Sequence, residues 1–337
     1  MKKQSGFSIV ELMVAVVLGL VISAAISVIF LTSNKTNKTQ DNTARLQENA
    51  RLAINKMQTD IRLAGYRGCN GKKVPPLPPL PPLDSNIIAA ITYVNNMGLS
   101  LQGFNGGASS WSPALDGSIS GASPAPALGS DVITIRMGVG AGVPLSAALA
   151  NGLATIPITS NTDNLLIGSA ALIADCEQSI AFIVTATTAT TLSHTAGSNT
   201  VADFGRAFGT DALVMPVSTV TYYVAPSSDL VGGLSLWRTT NGGASEELAD
   251  NVEKLKILYG EDIDGDLAPD KYVTANNVLN MNNVIAIKLM LLMRTSDDNL
   301  SALGQSYTFN GVAGIVPTDK RIRRTFTTTV TIRNRAT

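Results

Sequence analysis

Residues 7–31, FSIVELMVAVVLGLVISAAISVIFL, form an apolar run interrupted by a single charge, Glu11. As a helix rising 1.5 Å per residue the run reaches about 37 Å, enough to cross a hydrocarbon core of roughly 30 Å. A cleavable secretory signal carries a shorter apolar region of about 7–15 residues, closed by a small-residue cleavage site. This run is longer, and no A-x-A pattern ends it. Lys2 and Lys3 precede it, which keeps the N-terminus in the cytoplasm and sends the bulk of the chain across the membrane. The run predicts a single-pass membrane anchor. Glu11 is then the anomaly, because a carboxylate inside a membrane helix costs several kcal/mol unless it is paired, and so points to function.

The amphipathic pattern continues past the anchor. After a polar Thr/Asn/Lys stretch at 32–43, apolar residues recur at Leu46, Ala50, Ala53, Ile54, Met57, Ile61 and Ala64. Steps of three and four mark a helix with one buried stripe, and Gly65 supplies a stop at its C-terminus. Beyond it the chain becomes turn-rich. Residues 74–83 repeat Pro-Pro-Leu three times, a polyproline II pattern that aligns Leu77, Leu80 and Leu83 on one edge of a stiff strap. Short β-prone runs follow at 87–94, 131–137, 170–174, 179–186, 219–225, 234–239 and 255–259. The nearly continuous apolar run at 284–294 reads as a central buried strand. The Gly/Ser/Ala/Pro-rich stretch at 98–130 reads as an extended loop and a candidate adhesive surface. Residues 324–333 alternate, with Phe326, Val330 and Ile332 on one face and Thr327, Thr329 and Thr331 on the other. The expected fold class is α+β: a long N-terminal α-helix, first transmembrane and then amphipathic, packed on antiparallel β-sheet.

Composition narrows the chemistry. Lys plus Arg equals Asp plus Glu at 25 each, so no net charge points to nucleic acid, and the basic run at 320–324 reads as a solvated strand end. Charged residues are only 15% of 337, with 29 Gly, as in an exported, turn-rich β protein rather than a cytoplasmic enzyme. With one histidine and two cysteines there is little from which to build a catalytic triad or a His-rich metal site. His194 lies in a Thr/Ser stretch and reads as a loop or strand-surface residue. Outside the cytoplasm Cys69 and Cys176 are expected to form a disulfide, whose loop of about a hundred residues would contribute a few kcal/mol; reduced buried thiols are the alternative. Asp262, Asp264, Asp266 and Asp270 stand at relative positions 1, 3, 5 and 9, the opening spacing of an EF-hand-like calcium loop. Position 6 is Leu267 instead of Gly and position 12 is Val273 instead of Glu, which excludes a full EF-hand. A shorter calcium turn and a solvated acidic turn both remain.

Gly6-Phe7-Ser8-Ile9-Val10-Glu11-Leu12 resembles the processing and assembly signature of type IV prepilins and type II secretion pseudopilins. The resemblance implies a leader at 1–6, cleavage between Gly6 and Phe7 by a membrane aspartyl prepilin peptidase, and N-methylation of Phe7. It also implies pairing of Glu11 with the Phe7 amine of a neighbouring subunit, which offsets two desolvation costs and sets axial register. The implied layout is an assembly helix at 7–31, its continuation at 32–65 and an extracytoplasmic domain at 66–337. Within this class the chain resembles the PilW-type minor pilins. That likeness rests on Arg62-Leu63-Ala64-Gly65-Tyr66-Arg67-Gly68-Cys69, on Asp175-Cys176, and on Asn251-Val252-Glu253-Lys254-Leu255-Lys256-Ile257-Leu258-Tyr259-Gly260. It implies a non-enzymatic subunit that joins other minor pilins to prime the pilus, held in the inner membrane before assembly and near the pilus tip after it. The implied partners are the major pilin, the inner-membrane assembly platform and a tip adhesin. A J-like pseudopilin of type II secretion is the alternative.

Overall fold

The computed structural model describes residues 8–68, 85–151, 153–175, 177–229, 233–301 and 303–335. One helix dominates its length. Helix α1 (Ile9–Arg62) is 54 residues long, about 80 Å at the standard rise, and runs unbroken through the polar stretch that follows the apolar run. Its second half buries Leu46, Ala50, Ala53, Met57 and Ile61, with Ile54 half-buried beside them. The chain leaves the helix through Gly65, whose φ of +73° only glycine adopts freely, and whose amide donates to the Arg136 carbonyl at 2.9 Å.

Two sheets receive this stripe. The larger has ten strands, and its organising member is the 14-residue strand Leu213–Pro226. The first part of that strand pairs with Ala170–Ala174, and the later part with Val132–Gly138 and Leu234–Thr240, all antiparallel. The second sheet has the antiparallel order Lys271–Val273, Val252–Glu261, Val284–Arg294, Arg323–Thr331. Val284–Arg294 sits in its interior, buried along nearly its whole length, because a strand covered on both faces needs apolar residues at successive positions. The architecture is α+β, as the sequence implies.

Buried polar groups join the layers. The Asp131 carboxylate accepts from the amides of Gly106 (2.8 Å) and Ile257 (2.9 Å) and pairs with Lys256 at 3.1 Å, linking the two sheets. Burial still pushes its pKa up, against the pull of Lys256 and the two amides. A separate apolar cluster, including Val143, Leu149, Ile156, Phe182, Phe204, Phe208 and Val214, forms a second core around the early strands of the larger sheet.

Several expectations are corrected. Residues 87–94 contribute only an isolated bridge from Ile88 to Asn199. The Asn95 side chain accepts from the Thr92 amide (2.7 Å) and donates to the Ala90 carbonyl (3.0 Å), folding the stretch into turns despite its β-branched residues. The stretch 98–130 is not a plain loop: Leu101–Gly106 pairs with Val132–Gly138, and Gly117–Ser120 forms a helical turn. Gly103 is needed there, since a Cβ on it would overlap the Tyr259 hydroxyl. Arg323 in the basic run is buried, held by Glu253 at 2.7 Å and Asp319 at 2.6 Å, rather than solvated. His194 is fully buried, its ring stacked on Phe204 at 3.8 Å and edge-on to Phe182 at 5.6 Å.

Candidate functional site

The helix begins at an N-cap, Ser8. Its side-chain oxygen accepts from the Val10 amide at 3.4 Å, and its own amide donates to Glu11 Oε2 at 3.0 Å. Glu11 thus sits in the first turn, where a negative charge complements the positive end of the helix dipole. Around it the apolar residues have no cover from their own domain. Ile9 is 78% exposed and Leu31 67%. Bare apolar surface on this scale must be covered by lipid or by other helices. A Cβ on Gly19 would meet nothing within 4 Å.

The lower helix is locked to the domain by polar contacts as well as by its stripe. Asp60, buried on α1, accepts from the Tyr222 hydroxyl at 2.6 Å and faces Arg238 at 3.5 Å. Burial first, and the Asp60 charge next, raise the Tyr222 pKa, so the phenol stays protonated and donates. Asn42 and Asp297 exchange two hydrogen bonds, side-chain amide to carboxylate at 3.1 Å and backbone amide to side-chain carbonyl at 3.2 Å. Gln58 reaches Thr328 at 2.8 Å, and the Arg333 amide donates to the Arg62 carbonyl at 3.1 Å. A displaced helix would therefore carry the whole domain with it.

The acidic turn joins Val252–Glu261 to Lys271–Val273. Asp262, Asp264 and Asp270 each place a carboxylate oxygen within 4.8 Å of the others. Asp266 is not in this group; its carboxylate accepts from the Ala268 amide at 2.7 Å. Leu267, at the position where a calcium loop carries Gly, adopts the left-handed conformation regardless, with φ of +69°. Asp262 is buried and holds the turn by accepting from the amides of Gly265 (2.7 Å) and Leu267 (3.1 Å), while Asp270 accepts from Ile263 at 2.6 Å. Three convergent carboxylates are a fitting oxygen donor set for a hard cation.

Gly6, Phe7, Cys69, Cys176 and the Pro-Pro-Leu run at 74–83 lie outside the described residues. The described neighbours of the two cysteines do approach each other: a Cβ on Gly68 would stand 3.2 Å from that of Ala174. The Asp60–Tyr222–Arg238 lock is not written in the sequence, because Asp60 stands 162 residues before Tyr222 on the other side of the helix–sheet seam.

Two family matches correspond to the two regions just described. The prokaryotic N-terminal methylation motif matches residues 1–27, the leader and the exposed start of the helix. Type IV Pilus-assembly protein W matches residues 221–334, from the second half of the long central strand through the whole of the four-stranded sheet. No curated protein and no solved structure matches the chain. The apolar helix and the methylation motif together support membrane anchoring. Joined on one continuous fold, the two matches support a PilW-type, pilin-like protein of the type IV pilus.

Proposed function

We propose that this chain is a minor pilin that co-assembles with other minor pilins to prime type IV pilus assembly and comes to lie near the pilus tip. The observation that carries the reading is an 80 Å helix, about half of it bare and apolar with Glu11 in its first turn, fused to a domain matched over 221–334 to Type IV Pilus-assembly protein W. The role is structural, without catalysis. Prepilin peptidase would cut between Gly6 and Phe7 in the inner membrane, and Glu11 would then pair with the Phe7 amine of an adjoining subunit. Because Glu11 is present, a neighbour stands above this subunit, which makes it tip-proximal rather than outermost.

Deletion followed by imaging of surface pili tests the reading. Loss of pili restored by the wild-type gene supports priming. Normal pili with lost adhesion would replace it with an adhesive module, and normal pili with impaired protein secretion would replace it with a J-like pseudopilin. Two further parts of the proposal concern the domain. The approach of Gly68 to Ala174 supports a Cys69–Cys176 disulfide, read as a 2 Da mass difference on reduction (about 1 Da per hydrogen added to each sulfur). The convergence of Asp262, Asp264 and Asp270 supports a calcium ion bound in the turn.

A further inference from the structure

The sheets end in strands that differ in how well they are shielded. Ser245–Asp250 carries Glu246, Glu247 and Asp250, and its register against Leu234–Thr240 shifts between Leu236 and Trp237. Charges and a bulge are the usual devices that keep an edge from pairing. Lys271–Val273 is three residues long, too short to template much. Arg323–Thr331 has no bulge, and from Thr325 to Thr331 it carries no charge. It is nine residues long, pairs with Val284–Arg294 without a register shift, and holds threonine at 325, 327, 328, 329 and 331.

The phase of this strand is fixed by its end. The Ile332 amide donates inward to the Ile285 carbonyl, and the Arg333 amide donates away from the sheet to Arg62. By the alternation of an antiparallel ladder, the amides of Thr325, Thr327, Thr329 and Thr331 point outward. Among the described residues none of these four donates a hydrogen bond. The side chains of Thr327, Thr329 and Thr331 are exposed, while Phe326 and Val330 lie on the helix side.

We propose that Arg323–Thr331 is a docking edge for an extended strand donated by a different polypeptide, alternating apolar and hydroxyl side chains and acidic at its ends. Main-chain hydrogen bonds to the four outward amides would provide the affinity. Apolar residues of the added strand would extend the surface of Phe326 and Val330 beside α1, and its threonines would continue the outer ladder. Charge selects the occupant. Arg324 stands exposed at one end and Arg333 at the other. A second copy of this chain pairing antiparallel would set the Arg323–Arg324 end of each copy against the Arg333 end of the other, which disfavours self-association. Acidic flanks on a foreign strand would meet the same arginines favourably. The edge belongs to the fold and is independent of whether the filament is a pilus or a secretion device.

The test uses the full chain in detergent micelles and a fluorescent decapeptide, DDVTVTVTDD, read by anisotropy at low ionic strength. Saturable binding is expected, weakened about tenfold or more by a KKVTVTVTKK probe. Two N-methylated versions of the acidic probe, one blocked at the valine amides and one at the threonine amides, should separate, with one losing binding and the other keeping it. Thr327→Pro, which removes an outward donor and no ladder bond, should weaken the unmodified probe. Absence of saturable binding, equal binding of the two N-methylated probes, or equal binding of the acidic and lysine probes would overturn the proposal. A dimer of the chain that the acidic probe cannot dissociate would do so too, by assigning the edge to a second copy.

Discussion

Acid should loosen the second core through one side chain, His194. The ring is fully buried against Phe182 and Phe204. Burial lowers its pKa from 6.5 to about 4, the Leu153 backbone and the Asp203 carboxylate acting in the opposite direction. Because the folded value lies below the unfolded one, the unfolded chain binds the proton more readily between those two pH values. Stability is therefore complete above about pH 6.5, falls as pH drops towards 4, and levels off below it. At about 1.4 kcal/mol per pH unit, the loss is roughly 3.5 kcal/mol, a substantial part of the stability of one core. The chain has a single histidine, so its ring Cε1–H gives one resonance whose titration is unambiguous. Amide protection of peptides from 143–214, taken relative to the intrinsic exchange rate at each pH, should fall between pH 6.5 and 4 in the wild type. In His194→Phe, which keeps the stack on Phe204 and takes up no proton, that part of the acid dependence should vanish. A ring titrating near 6.5, or an acid response unchanged in His194→Phe, would refute the reasoning.

Gly103→Ala should cost several kcal/mol in denaturant unfolding, because its Cβ would overlap the fully buried Tyr259 hydroxyl. Tyr259→Phe should be neutral or slightly stabilising, since that hydroxyl is buried without a hydrogen-bond partner, and should relieve part of the Gly103→Ala defect. Millimolar calcium should raise the melting temperature of the full chain and leave an Asp264→Asn, Asp270→Asn double variant unmoved. An identical response of the two proteins would discard the cation site.

Legibility in the sequence followed the range of the interaction. The buried stripe of α1 and the strand Val284–Arg294 were readable because their periodicity is written in consecutive residues. His194 was not. Its neighbours Thr188, Thr191, Thr185 and Thr195 look like a solvated stretch, yet they hydrogen-bond among themselves and leave the ring to phenylalanines on other elements. The acidic turn was half legible. Spacing found the carboxylates, but the leucine at the glycine position argued against the loop, and Asp262 overrides that objection by accepting from the amides of both Gly265 and Leu267. Which carboxylates converge, with Asp266 turned away to Ala268, is decided by backbone geometry that spacing does not encode.

Glu11 allows helix formation and assembly to be separated. In the single chain its carboxylate accepts from the Ser8 amide, so it completes the helix start while still carrying a charge into an apolar segment. One neutral hydrogen bond does not offset the desolvation of a carboxylate; a cation supplied by a neighbour does. A glutamine keeps an oxygen at the same reach, so Glu11→Gln should preserve the cap and membrane insertion. It removes the charge, so incorporation into the filament should fall as far as in Glu11→Ala, which loses both. If Glu11→Gln assembles like wild type while Glu11→Ala does not, the residue acts through the cap and the pairing of subunits by charge is wrong. If both assemble normally, neither the cap nor the charge sets the register.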